Sequence, residues 1–214
     1  MRKRSKPRPY DASGRRQRAR ESQERMLEVA RALFAERGYV ETTMDEIAKG
    51  AEVAVPTLYA AFGSKRAILS KLIDRLVSGE PGGPPILQTQ SAQQAMADPD
   101  RKRALAMYAR HMRQILARMT PVHEMIKSAA RTEPELAELF ARMQRNRLAN
   151  MEALAKSIAD RGPLREGVGI EEAARTIWVL SSAEVRQLLL AHGGWSEERY
   201  EKWLADTLAA ALLP

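Results

Sequence analysis

Residues 43–65 read TMDEIAKGAEVAVPTLYAAFGSK, and two short helices joined by a tight turn follow from the residue types. Thr43 with Glu46 is a capping box, in which the hydroxyl accepts the N–H three residues on and the carboxylate reaches back to the cap; it opens a helix through Lys49. Val55–Ala61 makes the second helix, with Pro56 in the first turn, where a missing N–H is harmless. Gly63-Ser64 ends it and caps a longer helix, Lys65–Val77, whose Ile68, Leu69, Leu72, Ile73 and Leu76 form one stripe. Isolated helices shorter than about 12 residues are marginal in water, so the two short ones must be held by neighbours. Ile47, Ala48, Val53 and Leu58 can close a small core against Lys65–Val77 and against Arg16–Arg37. In the latter, Met26, Leu27, Ala30, Leu33 and Phe34 recur at helical spacing before Gly38 stops it. This is the layout of a helix-turn-helix, whose second helix is presented to the major groove of DNA.

Working outward, the stretch 78–101, SGEPGGPPILQTQSAQQAMADPDR, reads as a connection because Pro, Gly and Gln dominate it. Beyond it, Lys102–Met119 is amphipathic, Thr120-Pro121 caps a short helix to about Ala130, and Thr132 with Glu135 is a second capping box. The helix opened there runs to about Asp160, broken by Gly162-Pro163; another spans Ile170 to about Ala191, and Ser196 caps Glu197–Leu213. The chain holds 34 Ala against 18 Val plus Ile, which favours helix over strand because β-branched side chains lose rotamer freedom in helices. An all-α chain is expected, with an arm at 1–20 and helical regions at 21–78 and 79–214.

Charge separates the arm from the rest. Nine basic residues fall within 1–20 against Asp11 alone, accounting for the entire formal charge of +8. An arginine-rich segment without apolar periodicity is expected to be disordered in isolation until about Arg16 and to contact phosphates, Arg15, Arg16 and Arg18 among its cations. Residues 21–80 carry eight basic and ten acidic side chains, so the helix-turn-helix region supplies no net attraction for DNA of its own. The absence of cysteine excludes disulfides, thiol nucleophiles and cysteine-ligated metals. The polar start and the lack of a long apolar run point to a cytoplasmic protein outside the membrane. His111, His123 and His192 have no metal-ligand spacing, and neither a P-loop nor a G-x-S-x-G occurs. Catalysis, a metal and a cofactor are therefore not expected.

The stretch from about Arg25 to Ile73, most sharply TTMDEIAKGAEVAVPTLYAAFGSKRAIL, resembles the DNA-binding domain of the tetracycline repressor family of bacterial transcriptional regulators. The resemblance implies double-stranded DNA as partner, with Thr43 near a backbone phosphate and Val55 and Pro56 opening the recognition helix. It also implies Thr57 and Tyr59 as a phosphate clamp and Lys65 aiding them. Tyr59 is either that clamp or a core aromatic, and Leu58 filling the inward position favours the clamp. The sequence departs from the family where Ala54-Val55-Pro56 replaces Ser-Lys-Gly and where Glu52 replaces the turn glycine. Glu184-Val185, Gly194-Trp195-Ser196, Tyr200 and Trp203-Leu204 are more loosely similar to C-terminal halves of the family. There the resemblance implies a ligand-binding and dimerisation domain, pairing as a homodimer through the last two helices, with a small-molecule effector. Candidate pocket residues are Met107, Met125 and Met143, which suit an adaptable apolar lining, with Trp178 and the polar His111, Arg147 and Glu184. The latter three interrupt apolar stripes, so that each has either a structural mate or a ligand. A different reading is an architectural helical dimer that holds nucleic acid through the arm without sequence choice.

If the arm contacts phosphates, deleting residues 2–18 will weaken DNA binding and flatten the dependence of log K on log salt by about 0.9 per phosphate lost. Titrations at several salt concentrations measure this slope, and an unchanged slope removes the arm from the interface.

Overall fold

The computed structural model describes residues 12–80 and 83–214; Arg2, Lys3, Arg4, Lys6 and Arg8 of the arm lie outside them. Helix α1 (Ala12–Glu41) starts earlier than the expected Arg16 and is kinked at Gly38, which takes φ 83° and ψ 171°, a conformation open to glycine. Then come α2 (Met44–Gly50), α3 (Val55–Phe62) and α4 (Lys65–Ser78). The chain divides into two compact units, one ending at Lys71 and the other spanning Leu72–Pro214.

In the first unit Met26, Ala30, Phe34, Ile47, Ala48, Leu58, Ile68 and Leu69 are all buried. The capping box of α2 forms in full: Thr43 Oγ accepts from Glu46 N at 3.2 Å, and Thr43 N donates to Glu46 Oε2 at 2.9 Å. Helix α2 lies close against α1, since a Cβ on Gly50 would stand 2.7 Å from Val29 Cγ1. The turn after α2 puts Glu52 at φ 55°, where a side chain strains the backbone by about 1 kcal/mol or more. Lys65 then closes the unit. Its Nζ donates to the carbonyls of Tyr39 at 2.8 Å, Val40 at 3.2 Å and Thr42 at 2.7 Å, and sits 4.4 Å from the centroid of the Tyr39 ring. These carbonyls lie in and just past the last turn of α1, where C=O groups have no intrahelical partner.

The second unit adds α5 (Gln90–Ala97), α6 (Arg101–Ala129), α7 (Pro134–Ala159), α8 (Ile170–Leu180), α9 (Ala183–Gln187) with a π-helical turn (Leu188–His192), and α10 (Glu197–Leu212). No strand occurs among the described residues. Helix α6 packs on α5, α7 and α10, and α7 packs on α8.

Four expectations are corrected here. The connection 78–101 contains a 3₁₀ turn (Ile86–Gln88) and α5, capped by Thr89, whose hydroxyl meets Ala92 N at 3.4 Å. Pro121 does not start a helix but lies inside α6; it faces solvent, and the neighbouring Thr120 hydroxyl bonds the Leu116 carbonyl at 2.6 Å, so one lost N–H is tolerated within a helix held by tertiary packing. Thr132 makes no capping box, because its hydroxyl bonds Ala129 O at 3.3 Å and Pro134 itself opens α7 from Glu133. The helix expected from Ile170 to Ala191 breaks at Ser181, and Ser182 caps a new one through Val185 N at 3.2 Å.

Replacing Lys65 by Met leaves three carbonyls without their cation and is expected to lower unfolding free energy by about 2 kcal/mol, the scale of hydrogen bonds to a charged group. Lys65→Arg will not restore it, since a planar fork cannot converge on three acceptors as a point charge does; denaturant melts of the three proteins check both outcomes.

Candidate nucleic-acid interface and buried polar cluster

Helix α3 is anchored by Leu58, fully buried, while Pro56, Thr57, Tyr59 and Ala60 face solvent and Val55 is half-buried. Tyr59 is 49% exposed, which excludes the core reading and places an aromatic hydroxyl on the surface. Ala54 caps α3 without a side-chain hydrogen bond, and every residue of Val55–Phe62 is uncharged. The outer face is therefore neutral, apolar in part, with hydroxyls at Thr57 and Tyr59.

Thr43 is exposed at the start of α2, but its hydroxyl and N–H are both taken by Glu46. That carboxylate is held below its ordinary range by the Thr43 backbone and hydroxyl and by Arg37, whose Nη1 is 2.7 Å away. Lys65 is directed to backbone carbonyls of its own unit. Arg15 and Arg16 fall in the first turns of α1; Arg18 is exposed, its Nε bonded to Gly14 O at 3.1 Å.

In the second unit the pocket candidates separate. Met107, Met125 and Met143 are half-buried on α6 and α7. His111 Nδ1 lies 3.1 Å from Ser91 Oγ on α5, and its Nε2 is buried without a partner; desolvation, helped by Arg118, lowers its pKa. Glu184 pairs with Lys127 at 2.9 Å. Partial burial works against its ionisation, yet the Lys127 hydrogen bond and the other favourable contacts leave its pKa lowered.

Arg147 and Trp178 are brought together. The Arg147 guanidinium lies over the Trp178 ring, 5.3 Å from its centroid; its Nη2 donates to the Trp178 carbonyl and, at 3.3 Å, to Ser181 Oγ. Ser181, fully buried, donates to Ile177 O at 2.6 Å and accepts from the Tyr108 hydroxyl at 2.8 Å, which also stands 2.9 Å from Met151 Sδ. Burial pushes the Tyr108 phenol up to about 12 against the opposing effects of Ser181 and Arg147. Trp178 Nε1 and the hydroxyl of the fully buried Tyr200 have no hydrogen-bond partner, a condition worth about 1–3 kcal/mol each when a donor is left dry. Tyr108, Ser181 and Tyr200 were not nominated from sequence; a hydroxyl inside an apolar stripe was the available signal, the same one that singled out Arg147.

The stripes of the last helices turn inward: Ala174, Ile177, Tyr200, Leu204, Leu208 and Leu212 are core. The large apolar side chains exposed on this unit are instead Ile170, Val179 and Leu188, the last 61% exposed, all between the start of α8 and the π turn. Among the described residues no cluster of metal-ligating side chains occurs, and no helix is long and apolar enough to cross a membrane.

Residues 26–72 match the family described as bacterial regulatory proteins, tetR family. The chain is 26% identical over 183 residues to the HTH-type transcriptional regulator EthR of Mycobacterium tuberculosis (strain H37Rv), covering 86% of this chain and 81% of that protein. Among solved structures, the flavonoid-responsive regulator FrrA is 25% identical with a TM-score of 0.62, covering 91% of this chain and 98% of that one. A putative transcriptional regulator from Saccharomonospora viridis in complex with choline shares the fold at 19% identity and a TM-score of 0.67, over 91% and 98% of the two chains.

Because the folded-state pKa of His111 lies below its ordinary 6.5, the unfolded chain takes up the proton first, and stability is lost as pH falls from about 6.5 through the folded value. Melting temperatures between pH 7.5 and 5 should fall less in His111→Gln than in the parent; an equal fall assigns the acid sensitivity to other groups.

Proposed function

We propose that the chain is a regulator of the tetR family, whose model its residues 26–72 match, and that it acts as a homodimeric repressor that leaves a palindromic operator when a small molecule binds its second unit. The observation that carries this reading is α3, a helix fastened by one buried leucine with Pro56, Thr57 and Tyr59 turned to solvent. A single short recognition helix reads few base pairs, so a second copy on a half-site one helical turn away supplies the remaining specificity. The second copy is taken to cover the exposed Ile170, Val179 and Leu188. Scattered apolar side chains are ordinary on a surface, but their concentration on one stretch supports an interface.

The division of labour on DNA follows from charge. Val55 has no donor for guanine and suits a thymine methyl, while the hydroxyls of Thr57 and Tyr59 suit phosphates. The arm brings the cations that α3 lacks, with Arg15, Arg16 and Arg18 placed toward the backbone or the adjacent minor groove. Thr43 and Lys65 support this surface from behind, through the cap of α2 and the end of α1. A DNA target places the protein in the cytoplasm with the chromosome.

Release requires that the ligand prefer the dimer whose recognition helices are wrongly spaced, because equal affinity for both forms shifts nothing. The chain passes between its two units within α4, at Lys71-Leu72, which supports that helix as the lever.

Selection of bound genomic fragments, followed by footprinting, tests the proposal. A discrete palindrome protected in the presence of competitor DNA supports it, whereas protection without sequence choice favours an architectural protein. Val55→Lys is expected to change the selected consensus, and Tyr59→Phe to weaken all sequences alike by about 1 kcal/mol, one hydrogen bond. An unchanged consensus for Val55→Lys removes α3 from the major groove.

A further inference from the structure

The polar groups around Arg147 are out of balance in one direction. Arg147 carries five N–H donors, and Nη2 alone is directed to acceptors, the Trp178 carbonyl and Ser181 Oγ. Glu184 attracts it through space but gives its hydrogen bond to Lys127 at 2.9 Å, and no carboxylate is hydrogen-bonded to Arg147 among the described residues. Desolvation disfavours the charged form of this guanidinium, yet arginine does not shed its proton in proteins. The neighbouring orphans point the same way. Trp178 Nε1 can only donate, and the Tyr200 hydroxyl, which is electrostatically coupled to both Tyr108 and Arg147, has a proton to give. A half-buried guanidinium, offset by the attraction of Glu184, and two donors without partners therefore stand beside buried apolar side chains, Met151 and Ile177 among them. A choline-like cation is the wrong partner for such a site, and so is a plain hydrocarbon.

We propose that this cluster receives the carboxylate of an acidic small molecule with an apolar body, Arg147 and Trp178 Nε1 holding the anion. The inference rests on the regulator reading above and names the chemical class of its effector. A carboxylate matches the guanidinium fork with two parallel hydrogen bonds, and the aromatic face of Trp178 remains for the apolar part. The acceptors that Arg147 uses now belong to the C-terminal end of α8: Trp178 O lies in its last turn, and Ser181 is the residue on which it stops. An anion that takes the guanidinium frees that end, so binding is coupled to the helix that carries the exposed Val179.

The test uses the full chain and a panel of aryl- and alkylcarboxylic acids, each beside its primary amide and the corresponding primary amine. Thermal shift and calorimetric titration are read on the parent and on Arg147→Gln and Trp178→Phe. Some acids should bind about tenfold or more tighter than their amides, the scale of a charge-assisted pair over a neutral one, and the amines should not compete. Arg147→Gln should abolish that preference; if it fails to fold, Trp178→Phe must still narrow it severalfold. Amides or amines binding as well as acids, no acid in the panel binding, or a preference that survives in the variants overturns the proposal. Footprints on the same samples separate it from the regulator reading. A protected operator with no acid preference sinks the carboxylate site alone, and acid binding with no discrete operator sinks the repressor alone.

Discussion

A cation drawn partly out of water needs acceptors, and each unit of this protein holds one that takes them from the end of a helix. In the first unit the Lys65 ammonium gathers the carbonyls of Tyr39, Val40 and Thr42. As carbonyls at the end of α1, those groups have no intrahelical partner of their own. Because Lys65 opens α4, the same contact ties the start of that helix to the end of α1 and so fixes the frame in which α2 and α3 sit. In the second unit Arg147 does the corresponding work for the end of α8. The difference is that Lys65 is saturated and Arg147 is not. Full pairing suits a scaffold, whereas donors left over beside Arg147, such as the buried Trp178 Nε1, suit a place where another molecule completes the structure.

The surface offered by α3 is uncharged, and the arm at residues 1–20 carries nine basic side chains against one acid. Phosphate attraction is long-ranged and indifferent to sequence, while base edges are read by short contacts that a net charge does not improve. Placing the two on different parts of the chain lets affinity and discrimination vary separately. The strained Glu52 and the apolar Val55 both stand where the resembled family has other residues.

Much of the local structure was legible from residue types. Thr43 with Glu46, Ser64 and Ser196 each satisfy a helix end through contacts three residues away, Pro56 sits in a first turn where its missing N–H costs nothing, and the structure keeps all of them. The errors came where local signals compete with packing. Pro121 carries a start signal, yet α6 runs through it because the residues on both sides are buried along one face. Thr132 has the right spacing for a cap, but its hydroxyl is drawn to the preceding turn. The helix expected from Ile170 to Ala191 stops at Ser181, whose hydroxyl accepts from Tyr108 and Arg147.

The sequence by itself determined the helical class, the helix-turn-helix with its outward second helix, and the concentration of charge in the arm. Those depend on period, capping and composition, which are properties of neighbours in the chain. Only the tertiary structure decided that Lys65 serves carbonyls of its own unit and that the stripes of α8 and α10 are core, with Ile170, Val179 and Leu188 left outside. It alone also decided that Arg147, Trp178, Ser181 and Tyr108 meet in one polar cluster. Hydrogen-bond partners separated by 31 to 73 residues leave no spacing to read, because what unites them is the shared exclusion of water.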